Sequence, residues 1–308
     1  MAYYLSIAGT TESVAVHLFN DKCFHFGSLG CQGIHLREAT LDNITSFLWN
    51  MVVDLCEKYK IDTSELQSQC ELISFAVSGI DHRFDPGYLL GILRCIGFRK
   101  IDDSSLIVNG IAEAIFRAVL KDDPGVLIRS GAGCSVFSSN KKGDKMLATA
   151  YSTPFGDRGS LSRLGKDILA VITDYMNGIA TDDEEKVAIS ALKARSYSDP
   201  LRFYEDMQIK RIGQGHFVVL QDISQMAHIL FDLARDGNRL AKDLLDGTRE
   251  HLQALAVHQI KMLGLVEKSF NVLFHGSLFD KHGEMAESIF AGIRAQFPNA
   301  NLKSKPKP

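Results

Sequence analysis

Residues 3–27 read YYLSIAGTTESVAVHLFNDKCFHFG, and residues 125–150 read GVLIRSGAGCSVFSSNKKGDKMLATA. The two stretches share one grammar. In the first, an apolar strand from Tyr3 to Ala8 meets a Gly9-Thr10-Thr11 turn. A second strand (Ser13 to Phe19), a polar turn at Asn20-Asp21-Lys22 and a third strand follow. In the second, a strand from Val126 to Arg129 meets the small-residue turn Ser130-Gly131-Ala132-Gly133, then a strand from Cys134 to Ser138. The polar turn Asn140-Lys141-Lys142-Gly143 leads to a third strand over Met146–Tyr151. A small-residue turn between two strands leaves backbone N–H groups uncovered and lets an anion approach closely. Two such turns, one per half of a duplicated chain, predict two clamps on one polyphosphate.

Working outward, Leu41–Tyr59 places Ile44, Phe47, Leu48, Met51, Val52 and Leu55 on one helical face. Leu72–Val77 reads as a buried strand ending in Ser78-Gly79, Gly87–Ile96 as a helix, Ser105–Val108 as a strand and Ile111–Leu120 as a helix. The order β-β-β-α-β-α-β-α requires crossover helices packed on a mixed sheet. Pro124-Gly125 marks a boundary before the second copy. The second half then turns mostly helical, over Ser160–Asn177, Asp182–Ala194, Ile223–Arg235 and Asn238–Leu263. A strand at Asn271–His275, a turn at Gly276-Ser277 and a helix over Gly283–Phe297 close it. The expected domains are 1–122 and 123–302, the latter with a helical insertion, followed by a Lys- and Pro-rich tail at 303–308 expected to be disordered.

Composition narrows the function. At 308 residues, 45% hydrophobic and 23% charged, the chain has enough apolar content for two globular cores. A net charge of −3 gives no footprint for nucleic acid or an anionic membrane. No apolar run is long enough to span a bilayer, and the first residues enter a strand without a leader, so the cytoplasm is the expected compartment. The six cysteines (Cys23, Cys31, Cys56, Cys70, Cys95 and Cys134) lack C-x-x-C spacing and are expected to be mostly small buried hydrophobes. No structural metal site is expected. The acidic run Asp182–Glu185 behind Thr181 fits a capped helix N-terminus. His251 and His258 are read as structural or surface residues, and Gly213-Gln214-Gly215 as a loop between helices. There is no P-loop and no G-x-S-x-G elbow.

Six segments, in order along almost the whole chain, resemble the N-acetylglucosamine kinase and BadF/BadG/BcrA/BcrD-type ATPase family of the actin, hexokinase and heat-shock-chaperone superfamily. YLSIAGTTES (Tyr4–Ser13) is similar to its first phosphate motif, D-G-G-G-T-K-T. FAVSGID (Phe75–Asp81) is similar to its S-G-x-D turn, and LIVNGIA (Leu106–Ala112) to its V-N-D-A strand end. VLIRSGAGCS (Val126–Ser135) is similar to its second phosphate motif, L-I-x-G-T-G-S. FGDRGS (Phe155–Ser160) is similar to L-G-D-E-G-S, and VLFHGSLF (Val272–Phe279) to the late strand and turn near the adenosine. The resemblance implies duplicated ribonuclease H-like, actin-like ATPase domains of α/β class, with mixed five-stranded sheets flanked by helices and an interdomain cleft. It implies ATP and Mg²⁺ as cofactors where binding is retained, and an amino sugar as partner; a homodimer is compatible with it.

Carried over residue by residue, the resemblance implies phosphate contacts from Gly9, Thr10, Thr11, Gly131, Ala132, Gly133 and Cys134. It implies sugar contacts from Ser78, Gly79, Asp157 and Ser160, and adenosine contacts from Gly276 and Ser277. It also exposes departures. The family's Mg²⁺-holding aspartate is replaced by Ala8, its motif lysine by Glu12 and its catalytic base by Gly110, immediately after Asn109. Ala132 and Cys134 replace two hydroxyl residues, Arg158 reverses the charge of a glutamate, and the sugar-gripping asparagine expected near 28–36 has no counterpart. No metal ligand is therefore assigned, and the remaining candidates for a base are Asp157 and Glu113. A positioned base contributes about 10²–10⁴-fold, so weakened or absent sugar phosphorylation is the leading expectation. An active small-molecule kinase using non-standard residues, and a non-catalytic interaction protein on the same fold, stay open as alternatives. Residue by residue, local explanations also stay open: Gly9, Gly131 and Gly133 serve tight turns, and Asp157 caps the helix that follows.

Overall fold

The computed structural model describes residues 2–303 apart from 11–12, 23, 37–38, 81–83, 150–156, 215 and 267. Thr11, Glu12, Cys23, Asp81, Phe155, Gly156 and the end of the expected tail lie outside the described residues. The chain divides into two units, Met1–Ile115 and Phe116–Pro308.

The first unit begins with β1 (Tyr3–Gly9), β2 (Ser13–Asn20) and β3 (His25–Gln32), followed by α1 (Leu41–Tyr59) and α2 (Thr63–Gln69). β4 (Cys70–Val77), α3 (Pro86–Cys95), β5 (Leu106–Val108) and the start of α4 (Ile111–Leu120) complete it. Burial alternates along β1, β2 and β4, so one sheet face is apolar and the other half-exposed. The apolar face carries Leu5, Ile7, Val16, Leu18, Ile73 and Phe75. It shares a core with Ile44, Leu48 and Leu55 of α1 and Leu89 and Leu93 of α3. The strands order β3-β2-β1-β4-β5, with β1–β2 and β2–β3 antiparallel and β1–β4 and β4–β5 parallel.

The second unit repeats that plan. β6 (Gly125–Ser130), β7 (Cys134–Ser139) and β8 (Lys145–Thr149) are followed by helices α5 (Leu161–Met176), α6 (Asp182–Ala194) and α7 (Pro200–Gln214). Then come α8 (His216–Met226), α9 (Ile229–Arg235) and α10 (Arg239–Met262). β9 (Phe270–His275), α11 (Ser277–Lys281), α12 (Gly283–Gln296) and β10 (Ala300–Lys303) end the described chain. The sheet order β10-β9-β6-β7-β8 is that of the first unit read from the other edge, with the antiparallel pairs β6–β7 and β7–β8 and the parallel pairs β6–β9 and β9–β10. Val126, Ile128, Val136 and Val272 share its core with Leu161, Leu164 and Ile168 of α5 and Leu252, Ala256 and Ile260 of α10. Each unit is thus a mixed five-stranded sheet flanked by helices.

Local chemistry sets the boundaries. Thr40 caps α1, its hydroxyl accepting from Asn43 N–H, and Lys60 closes the helix in the left-handed region at φ 55°. Thr181 and Glu184 form the capping box of α6, as the acidic run predicts. The cap of α5 is Ser160, whose hydroxyl accepts from Arg163 N–H at 3.1 Å, and not Asp157. The helix expected over Ile223–Arg235 is broken between α8 and α9, and α7 continues through Gly213 to Gln214. Lys303 pairs with Leu273 in β10 instead of opening a disordered tail. Of the described cysteines, Cys56, Cys70 and Cys134 are buried, Cys31 is half-buried and Cys95 is exposed. Among the described residues no helix is long and apolar enough to cross a membrane.

Two contacts pin the edges of the units. In the first, Tyr59 Oη accepts from Ser28 N–H at 2.8 Å and donates to Ser28 C=O at 2.9 Å, tying β3 to the end of α1. The ring reaches β3 because residue 27 is glycine; a Cβ there would lie 2.0 Å from Tyr59 Cζ. In the second, the break before α9 sets His228 against His282. Nδ1 of His228 and Nε2 of His282 are 2.9 Å apart, and the His282 ring stacks on Phe231 with centroids 3.4 Å apart at 4°. An imidazole–imidazole hydrogen bond needs one donor and one acceptor, so the pair excludes two imidazolium ions.

Gly27→Ala is expected to displace the Tyr59 ring and lower stability by about 1–3 kcal/mol, read as a drop in urea midpoint with unchanged slope. The histidine pair predicts an acid response. Burial, then the Lys281 and His282 charges, hold His228 down at about 4 against an ordinary 6.5. The folded chain therefore binds fewer protons than the unfolded one between those values, and stability falls as pH drops from about 6.5 towards 4. Replacing His228 by Gln is expected to flatten that part of a melting-temperature profile; an unaltered profile would assign the response elsewhere.

Candidate functional site

Parallel strands end on the same side of a sheet, and ligands of open α/β folds sit beyond those carboxyl ends. In the first unit Gly9 pairs with Val77, and Phe75 with Val108, so β1, β4 and β5 end side by side. Ala8 faces Ala15 on one side and Ala76 on the other, a row of methyl groups at the position to which the resemblance assigns a metal-binding carboxylate. Gly9 has a local reason to be glycine. A Cβ there would lie 2.3 Å from the Ser13 carbonyl oxygen, which accepts the Thr10 N–H at 2.8 Å to close the hairpin. After β4, Ile80 N–H donates to Val77 C=O at 3.3 Å, and Ser78 C=O accepts from Leu36 N–H at 2.9 Å. The turn at Ser78-Gly79 thereby meets the 28–36 segment. Asn109 N–H bonds Phe75 C=O at 2.9 Å, setting Gly110 at the start of α4, with Glu113 in the first turn. The fold brings Gly9, Thr10, Ser78, Gly79 and Gly110 to one end of this sheet.

Gly110 is closed in. A Cβ added there would lie 3.1 Å from the Ile80 carbonyl oxygen, and that oxygen is backbone held in the turn after β4. A side chain at 110 requires the 78–80 turn to yield.

In the second unit three turns are stitched together at the ends of β6 and β9. Gly131 N–H donates to Gly133 C=O at 2.9 Å, folding the turn on itself, and Gly131 C=O accepts from Leu161 N–H at 2.8 Å. Ser130 Oγ donates to Gly159 C=O at 2.6 Å, and Cys134 Sγ to Arg158 C=O at 3.0 Å. Gly276, at φ 110°, approaches so closely that a Cβ would lie 2.2 Å from Ser130 C=O. A Cβ on Gly131 would lie 3.0 Å from Ser277 Oγ. Gly131, Ala132, Gly133, Cys134, Asp157, Ser160, Gly276 and Ser277, assigned by resemblance to phosphate, sugar and adenosine, thus form one cluster. Asp157 is buried at φ 56°, with Oδ1 3.8 Å from the place a Gly133 Cβ would take. The Ser160 hydroxyl is committed to Arg163 N–H and Ser162 Oγ.

Electrostatics keep this cluster neutral at sulfur. Burial first, and then the Asp157 charge, push the Cys134 thiol up to about 12, so it stays protonated and serves as a donor. Burial lowers Lys166, which the Asp157 charge partly offsets. Burial and then the Arg158 charge lower His251, which places Arg158 beside α10. Ser130 and the Arg158–His251 neighbourhood are features that motif reading missed; the hydroxyl directly before Gly131 was the available signal.

Mg²⁺ takes near-octahedral oxygen ligands, usually one or two carboxylates with substrate phosphates. Ala8, its neighbours Ala15 and Ala76, and Gly110 offer no side-chain oxygen. Among the described residues no group of three or more His, Cys, Asp or Glu could hold a metal ion. Ala8 and Gly110 thus supply no ligand for a protein-held Mg²⁺ at the strand ends of the first unit, and Glu12 and Asp81 lie outside the described residues. A phosphate fits the second turn better. With Gly131 N–H used internally, the amides of Ala132 and Gly133 are its remaining donors.

No protein-family model matches the chain. An N-acetyl-D-glucosamine kinase from Dictyostelium discoideum is 23% identical over 180 residues, 58% of this chain and 54% of that protein, so the chain spans about half the length of this relative. An N-acetylmuramic acid/N-acetylglucosamine kinase from Clostridium acetobutylicum is 18% identical over 271 residues, 88% of this chain and 83% of that protein. Among solved structures, a candidate N-acetylglucosamine kinase from Porphyromonas gingivalis superposes with TM-score 0.67 at 14% identity, covering 99% of this chain and 95% of its own. One from Chromobacterium violaceum superposes with TM-score 0.65 at 12% identity, covering 98% and 94%. In sequence the chain resembles N-acetylglucosamine kinases, and its duplicated sheets have the actin-like ATPase fold of sugar kinases.

Proposed function

We propose that the chain is an amino-sugar kinase-like protein, binding an N-acetylglucosamine-type sugar and a nucleotide, in which phosphoryl transfer is severely weakened or lost. The names of the two sequence relatives support the ligand class. The observation that carries the loss of chemistry is the pair Ala8 and Gly110, neither of which has a carboxylate, with the Ile80 carbonyl oxygen 3.1 Å from where a Cβ on residue 110 would stand. Phosphoryl transfer depends on positioning and charge neutralisation. Absence of a base at 110 and of a carboxylate at Ala8 removes contributions of both kinds, the first about 10²–10⁴-fold by itself.

In this reading the second unit's Gly131–Cys134 turn contacts phosphate and its Gly276 and Ser277 adenosine, and in the first unit Gly9 and Thr10 are assigned to phosphate and Ser78 and Gly79 to sugar by resemblance alone. ATP and Mg²⁺ are the cofactors that kinase relatives imply; among the described residues the Gly131–Cys134 turn offers amide donors to a nucleotide, and Ala8 and Gly110 offer no oxygen to the metal. The cytoplasm is the proposed compartment and a homodimer the proposed assembly. A second reading, an active kinase with Asp157 or Glu113 as base, draws on the burial of Asp157 beside Gly133. It requires that Asp157→Asn or Glu113→Gln abolish a measurable rate.

Calorimetry is expected to show saturable binding of N-acetylglucosamine. A coupled kinase assay, run beside the Clostridium acetobutylicum relative, is expected to give turnover lower by about 10²-fold or more. Gly110→Asp alone is expected to leave turnover low, because the carboxylate absent at Ala8 is not restored and the Ile80 turn must shift to admit the new side chain. Turnover equal to the relative's would sink the proposed loss of catalysis, and absence of sugar binding would sink the ligand class.

A further inference from the structure

The fold leaves the two units differently equipped for charge. At the strand ends of the first unit the row Ala15–Ala8–Ala76 and the glycine at 110 supply no oxygen ligand for a divalent cation. At the turns of the second unit a cationic side chain is present. Arg158 follows buried Asp157 directly, its backbone is anchored by the Cys134 Sγ bond to its carbonyl at 3.0 Å, and its side chain is exposed. Among the described residues Arg158 forms no ion pair.

Resting on the reading that this chain takes a nucleotide, we infer that phosphate-bearing ligands bind the 131–134 and 157–161 turns without a divalent cation, Arg158 supplying the charge that a metal would otherwise bring. The chemistry suits the exchange. A guanidinium presents a planar fork of donors that matches phosphate oxygens and keeps its charge at any physiological pH. The turn adds the amides of Ala132 and Gly133, left over once Gly131 N–H bonds Gly133 C=O. Asp157 works against an anion, but its carboxylate is buried and within electrostatic range of Lys166. With Arg158 and Lys166 positive against Asp157 negative, the three side chains sum to a positive charge beside the turn. Ligands recognised this way are nucleoside polyphosphates in their metal-free form.

The test is isothermal titration of the full chain with ATP and with inorganic tripolyphosphate, at constant ionic strength, in EDTA and in excess Mg²⁺. Metal-free ATP is expected to bind at least as tightly as its Mg²⁺ complex. Arg158→Glu is expected to weaken metal-free binding by about tenfold or more, and Arg158→Lys to retain most of it. Unchanged melting temperatures in both variants would show that the loss is local. Binding that appears only with Mg²⁺, or an Arg158→Glu variant that binds like the parent, overturns the inference while leaving the proposed nucleotide site in place. No binding of either probe under either condition overturns both. N-acetylglucosamine titrated in the same series then decides whether the sugar half of the proposed function survives.

Discussion

Parallel strands cannot be joined by a hairpin, so pairing β1 with β4, and β6 with β9, forces a long crossover and sets two carboxyl ends on the same edge. Everything at the candidate site depends on that constraint. The crossover in the first unit is α1 and α2; in the second it is the whole run from α5 to α10, which is why the second unit is helix-rich without a change of sheet plan. Because the central pair is parallel, the turn leaving β6 and the turn leaving β9 must meet, and they meet at backbone distance. Gly276 is the residue this contact demands, since a Cβ 2.2 Å from the Ser130 carbonyl could not be accommodated at φ 110°.

What held the second cluster together was not readable from side-chain identity. Of the bonds joining the 130–134 and 157–161 turns, each ends on a backbone carbonyl: Gly131 accepts from Leu161, Gly159 from Ser130 and Arg158 from Cys134. Carbonyl acceptors exist at every position, so a sequence shows only where donors are available. A thiol at 134 then reads as a lost hydroxyl, although in the fold it makes the bond that a hydroxyl at this position would also make. The same blindness covers Gly110. Sequence shows a glycine, and only the fold shows the carbonyl of Ile80 3.1 Å from where its Cβ would stand.

Where the sequence was legible, the reason was burial. The strands β1, β2 and β4 alternate cleanly because one face packs on helices, and α1 and α5 present full apolar stripes. The elements that went unread bury little. Helix α2 buries only Leu66, and β10 only Ala300. Helix α7 carries exposed Leu201, Tyr204, Ile209 and Ile212 as well as buried Phe203, so its apolar residues spread around the axis and leave no face to detect. The break between α8 and α9 was invisible for a different reason, because it serves a contact between His228 and His282 that lie far apart in sequence.

The two units show which parts of such a fold are set by backbone packing. Their sheets share strand order and sense, and the backbone bonds that close their turns are indifferent to which side chains project from them. Removing a carboxylate from β1 costs the sheet nothing, since Ala8 keeps its register with Ala15 and Ala76 and the apolar face behind it is untouched. Losing Gly276 would be different in kind, because the meeting of two parallel strand ends depends on it. Stability therefore depends on the glycines at backbone approaches and not on a carboxylate at the strand end. A site of this type is expected to tolerate a change of carboxylate more readily than a change of the glycines at its turns.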